Sequence, residues 1–181
     1  MLGVRAKLYP WIERGVLATG WLRADQPRQW SGHARLVFVC SGNICRSPYA
    51  EAAARRCGLA AISCGIATEK GLPADGTAIT EAAQRGLDLT SHRTTRWQDV
   101  EIGTGDIVVA MQLRHALTVL PRATAHACQV IMLSSLLLPK FAPIRDPYGK
   151  PRDQFRTVFD LIDSGVLRMA QLRRLAGSGT K

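Results

Sequence analysis

Leu36-Val37-Phe38-Val39-Cys40-Ser41-Gly42-Asn43-Ile44-Cys45-Arg46-Ser47-Pro48 is the stretch on which the reading of this chain turns. Its first four residues are a continuous apolar run, the pattern of a short strand buried on both faces. Residues 40–46 read as a tight loop. An alanine-rich helix is predicted over 49–57, closed by Gly58. Ser47 is the expected N-cap, with Pro48 at the first helical position and Glu51 in the first turn. A loop that runs from a strand end into a helix N-terminus turns successive backbone N–H groups toward one point. The positive end of the helix adds to them, and the result is an anion nest. Gly42 and Asn43 are the residue types best able to take the dihedrals of so tight a loop.

Outward from this stretch, strands and helices alternate. Residues 61–64, 106–111 and 129–133 read as further strands. Helices are predicted over 77–85, over 113–120 with Pro121 as the stop, and over 154–175, where a cationic end suits the dipole. The pattern predicts one doubly wound, four-stranded parallel sheet with helices on both faces and a phosphate-binding loop after the first strand, and ligands at the carboxyl ends of the strands. Residues 35–176 form the expected domain, and 177–181 a short tail. Residues 1–34 lack a clean period. They read either as an extension or misassigned start, or as a basic amphipathic anchor for an anionic membrane; Pro10 and Gly15 weaken a helix there.

The nest suits nucleophilic phosphoryl chemistry. A cysteine at the start of such a loop sits in a positive field that favours the thiolate, which is the reactive form. Arg46 closes the ring with a planar fork that binds two phosphoryl oxygens at once. The Ser47 hydroxyl can donate to the sulfur. Backbone amides of Ser41, Gly42, Asn43, Ile44 and Cys45 complete the expected substrate-binding set.

Charge points elsewhere at first. The chain of 181 residues carries 24 Lys and Arg against 14 Asp and Glu, a net +10 that suggests an anionic partner. Its distribution narrows the suggestion. Residues 1–35 hold six basic groups against two acidic, residues 149–181 hold seven against three, and the central part is close to balanced. No aromatic platform or recognised motif accompanies the charge, so nucleic acid is not expected as a partner. The five cysteines follow no metal-ligand or disulfide spacing, and no apolar run is long enough for a membrane span. The expectation is a cytoplasmic protein with reduced thiols and no metal, cofactor or integral membrane segment.

The segment from Val39 through Cys40 to Pro48 closely resembles the signature of the low-molecular-weight protein tyrosine phosphatases. Asp146-Pro147-Tyr148, followed by a long helix, resembles that family's second mark. The resemblance runs in order over about residues 35–175. It is nearest to bacterial members that act on tyrosine kinases of exopolysaccharide export, judging by the run from Asp146 to Phe155. It implies a phosphotyrosine protein substrate, including such a membrane kinase, and a two-step reaction. Cys40 is the nucleophile, Arg46 the phosphate clamp and Asp146 the general acid, then base. Asp146 has to start protonated while Arg145 beside it favours the charged form, so activity is expected to peak on the acid side. The resemblance also implies that Asn43 is held by Ser63 and His92, and that Tyr148 forms one wall of an aryl slot. For His92 the alternative is a loop histidine capping backbone; for Tyr148 it is simple packing. Cys45 is implied as the redox partner of Cys40 in a reversible disulfide, and reads equally well as a small buried side chain. Cys57, Cys64 and Cys128 read as structural, and His33, His115 and His126 as surface groups.

Two departures stand out. Residues 63–70 hold no aromatic where many members sandwich the phenyl ring, and Gln112 stands where an acidic residue is common. Other activities of the fold are less well matched. An arsenate reductase would need two further relay cysteines, and Cys128 is alone in its region. A protein arginine phosphatase tends to carry Thr where this chain has Ile44.

Overall fold

Alternating apolar runs and helical segments assemble around one strand. β1 (Leu36–Cys40) is buried along its whole length, because neighbours flank it on both edges and helices cover both faces. This is a computed structural model, and it describes residues 34–138 and 142–178. Nearly all of the expected N-terminal extension, including His33, lies outside the described residues, as does the end of the tail.

β1 is followed by α1 (Arg46–Arg56), β2 (Ala61–Gly65), α2 (Gly76–Ala83), β3 (Ile107–Ala110), α3 (Leu113–Ala125), β4 (Gln129–Met132) and α4 (Arg152–Ser178); short 3-10 turns occupy Trp97–Asp99 and Leu133–Leu136. The sheet order is β2-β1-β3-β4, parallel throughout. The fold is the expected doubly wound α/β sheet. The chain leaves β1 toward β2 and later returns to its other side as β3, so the carboxyl end of β1 opens on the crevice between the two crossovers.

Residues alternate strictly between two cores. Leu36, Phe38 and Cys40 face α1 and α4, packing with Tyr49, Ala53, Phe155, Phe159 and Ile162. Val37 and Val39 face the opposite way, against Leu113, Ala116, Val119 and Ala123 of α3. Tyr49 stacks on Phe159 with ring centroids 3.7 Å apart and donates its hydroxyl to Asp163 at 2.8 Å, locking α1 onto α4. Buried Glu81 joins α2 to the start of α4 by accepting from Arg152 and Arg156. Gly165 lets α4 approach closely, since a Cβ there would lie 2.6 Å from Leu133 Cδ1.

Several expectations from the local sequence are corrected. α3 does not stop at Pro121 but continues to Ala125 with the proline inside. Ala116, Val119 and Ala123 are fully buried on one helical face that spans the proline, and that burial offsets the lost backbone hydrogen bond. α1 begins at Arg46, with Cys45 at its N-cap and no side-chain cap. Ser47 therefore lies inside the first turn, and Glu51 lies beyond it, paired with Arg55 at 2.8 Å. α4 extends to Ser178, so Arg173 and Arg174 precede its last turn, which holds no basic residue.

Candidate active site

The uncapped N-terminus of α1 is the first element of the site. An N-cap side chain would occupy donors of the first turn; here Ser47 turns inward, with its hydroxyl 3.1 Å from Cys40 Sγ. The Asn43 N–H donates to the same sulfur at 3.3 Å. Cys40 is thus held at the end of β1 by the Asn43 N–H of its own loop and by the Ser47 hydroxyl of the first helical turn.

Asn43 organises that loop. It is fully buried in the left-handed conformation, with φ 53°, and every polar group it carries is used. Its Nδ2 donates to Ser47 and Ser63 hydroxyls, both at 2.9 Å. Its Oδ1 accepts from the Thr95 N–H at 2.8 Å, and its carbonyl accepts from His92 Nε2 at 2.7 Å. Accepting carbonyls leave His92 Nε2 as the donor. Burial holds the His92 ring below its ordinary pKa, so the neutral form is favoured. Gly42, by contrast, does not take a positive φ; Asn43 alone carries the left-handed step of the loop.

Gly65 makes room for the turn. A Cβ on it would stand 2.6 Å from the Ser41 carbonyl and 2.8 Å from Thr68 Cγ2. The loop also receives Ala67 N–H at the Ser41 carbonyl and Asp75 N–H at the Ile44 carbonyl, each at 2.9 Å.

Arg46 is 1% exposed. Its Nη2 pairs with Asp146 Oδ2 at 2.7 Å, while its Nε and Nη1 are buried without a partner. Orphaned guanidinium nitrogens are costly to bury and mark a site built for an anion. Asp146 has a second cation, Arg114, at 3.9 Å; its ion partners are these two arginines, not the neighbouring Arg145. Its Oδ1 also accepts from the Tyr148 N–H at 3.4 Å.

A cavity of about 470 Å³ unites these groups. Cys40, Arg46 and Asp146 line it together with the apolar surfaces of Ile44, Leu72 and Tyr148. Glu69 lines it too, in the segment that lacks an aromatic. Leu72 was not signalled by any motif, nor was Thr95.

Sequence reading also missed Arg114 and His115, at the start of α3. His115 is fully buried rather than on the surface, because α3 packs its first turn against the loop. Its Nε2 lies 3.0 Å from Ser41 Oγ, and Arg114 Nη2 donates to the same oxygen at 2.8 Å. Gln112, where an acidic residue was expected more often, accepts from Arg114 Nε at 3.1 Å. The signal that could have found this pair is topological: both follow the carboxyl end of β3, beside that of β1. All five cysteines are free thiols. Burial pushes the Cys45 thiol far above its ordinary range. Among the described residues, no cluster of His, Cys, Asp and Glu could hold a metal, and no helix is long and apolar enough to cross a membrane.

A sheet and loop of this kind are those of a phosphatase. The family model for the low molecular weight phosphotyrosine protein phosphatases matches residues 35–176, and the chain belongs to that family. A probable low molecular weight protein-tyrosine-phosphatase EpsP from Ralstonia nicotianae is 32% identical over 133 residues, 72% of this chain and 90% of the relative. The low molecular weight protein-tyrosine-phosphatase Wzb of Escherichia coli K12 is 31% identical over 138 residues, covering 75% and 92%. The crystal structure of Wzb from Escherichia coli K30 with sulphate has a TM-score of 0.65 at 28% identity, over 76% of this chain and 96% of that one. The YwlE arginine phosphatase of Geobacillus stearothermophilus reaches a TM-score of 0.70 at 23% identity, over 82% and 97%, which shows the shared fold alone.

Proposed function

We propose that this phosphatase hydrolyses phosphotyrosine in proteins through a phosphocysteine. The observation that carries this reading is the buried, half-unpartnered Arg46 beneath a cavity that also exposes Cys40 and Asp146. Cys40 sulfur attacks phosphorus opposite the phenolic oxygen; the S–P bond forms as the P–O bond breaks. The loop N–H groups and Arg46 hold the equatorial oxygens, where negative charge is concentrated. Asp146 gives its proton to the departing phenolate. It then takes a proton from water, whose oxygen attacks phosphorus and releases phosphate and the thiolate. Ile44, Leu72 and Tyr148 are the surfaces available to the aryl ring. Ser63 and His92 act by holding Asn43, and no step calls for a metal or cofactor.

Its substrate is a phosphotyrosine protein, and the resemblance of the run from Asp146 to Phe155 to bacterial members associated with exopolysaccharide export supports a membrane tyrosine kinase of that system. A cytoplasmic location suits this reading, since thiols stay reduced there. The catalytic unit is residues 35–176, with 1–34 as an extension and 177–181 as a tail.

Turnover of phosphotyrosine, phosphoserine and phosphoarginine peptides tests the reading. The wild type is expected to prefer phosphotyrosine and Cys40→Ser to be inactive. Full activity in Cys40→Ser would refute the mechanism, and preference for phosphoarginine would reassign the substrate.

A further inference from the structure

The start of α3 carries a polar cluster that the reaction above does not use. The Oγ of Ser41, a residue that lines the cavity, meets both Arg114 Nη2 and His115 Nε2. Arg114 can only donate, so one lone pair of the serine oxygen is taken. The role of His115 depends on its tautomer. If Nε2 were the acceptor, the ring proton would sit on Nδ1, which is buried with no hydrogen-bond partner. A buried N–H without an acceptor is a rarer and costlier defect than an unused acceptor. The Nε2–H tautomer avoids it. Burial, reinforced by the charges of Arg46 and Arg114, brings the His115 pKa down to about 3 and keeps the ring neutral.

With both lone pairs of Ser41 Oγ filled, its own proton has to go elsewhere. We propose that His115 and Arg114 turn the Ser41 hydroxyl into a one-way donor to the phosphoryl group, making Ser41 a catalytic residue and His115 a positioning residue. The inference rests on the proposed use of the loop as a phosphoryl site. Ser41 supplies a side-chain donor in addition to the backbone amides of the loop, and the dianion is the acceptor that the cavity is built to receive. A hydroxyl free to rotate would spend part of its time as an acceptor facing that dianion; two donors on its oxygen prevent this.

Three measurements test the proposal on the full chain. Long-range nitrogen-15 spectra of the histidine rings are expected to show His115 as the neutral Nε2–H tautomer at pH 7. Ser41→Ala is expected to weaken inorganic phosphate, measured by calorimetry and as a competitive inhibitor, roughly tenfold. His115→Phe should weaken it similarly, and add nothing in the Ser41→Ala background. His115→Gln, whose amide nitrogen takes the place of Nε2, should restore most of the affinity. An Nδ1–H tautomer, or phosphate affinity unchanged in Ser41→Ala, would overturn the proposal. So would an equal loss from His115→Phe with and without Ser41. Should His115→Phe fail to fold, the tautomer, Ser41→Ala and His115→Gln decide alone. If the wild type hydrolyses phosphotyrosine while Ser41→Ala binds phosphate normally, only this inference falls. If the wild type neither binds phosphate nor hydrolyses phosphotyrosine, the functional reading falls with it.

Discussion

Arg46 Nη2 and Asp146 Oδ2 stand 2.7 Å apart, with the arginine side chain 1% exposed and the aspartate 39%. In the free protein, the proposed clamp and the proposed acid are each other's partner. A phosphoryl dianion entering the loop meets an arginine already engaged on one nitrogen and unpartnered on two others. The carboxylate therefore competes with substrate for the charge of Arg46.

Replacing that carboxylate separates its two effects. Asp146→Asn is expected to lower kcat by about 10²- to 10⁴-fold, the usual worth of a general acid. The same change should tighten inorganic phosphate, since a negative charge leaves the clamp. Steady-state kinetics with phosphate as competitive inhibitor reads both; weaker phosphate inhibition would contradict the competition.

Gly65 offers a test of loop geometry apart from chemistry. A methyl group there would meet the Ser41 carbonyl at 2.6 Å, and backbone cannot swing aside as a side-chain end can. Gly65→Ala is expected to cut kcat/KM on the order of 10²-fold, the effect of displacing a site by about 1 Å. The melting temperature and kcat/KM are compared with those of Gly58→Ala, remote from the loop, and equal activities would argue against so tight a fit.

His115 gives the stability a definite acid limb. Its pKa falls from the usual 6.5 to about 3, through burial first and then the charges of Arg46 and Arg114. Between those values the unfolded chain binds a proton that the folded chain refuses, so stability drops as pH falls, by up to about 1.4 kcal/mol per unit. The depressed His92 acts in the same direction. Denaturant midpoints from pH 7 to pH 5 should fall less steeply in His115→Gln; an unchanged slope would remove His115 as the cause.

Cys45 is a free, buried thiol whose ionisation burial opposes. If it guards Cys40, inactivation by peroxide is reversed by dithiothreitol in the wild type and not in Cys45→Ser. The same reversibility in both would assign Cys45 to packing.

What could be read along the chain was what lies within a few residues. Leu36–Cys40 declared itself a strand by four apolar residues in a row, and Gly58 ended α1 as a residue with φ 76° should. Cys40 and Arg46 were found together because one short loop contains both. The misjudged positions answer to packing in three dimensions rather than to the local pattern. Ser47 looks like a cap locally, yet Cys40, Asn43 and the Cys64 carbonyl draw its hydroxyl into the site. Pro121 looks like a stop, yet Val119 and Ala123 continue a buried face across it.

The sequence by itself determined the order of strands and helices, the phosphate-binding loop and which residues are proposed as its nucleophile and clamp. Those follow from backbone preferences and side-chain chemistry over a short span. Only the tertiary structure decided that Thr95 completes Asn43, and that Arg114 and His115 close on Ser41. These partners lie 52 to 74 residues away. They meet because parallel strands deliver their carboxyl ends to one crevice. There, burial makes an unmatched polar atom costly, and each group must find whichever partner the packing brings to it.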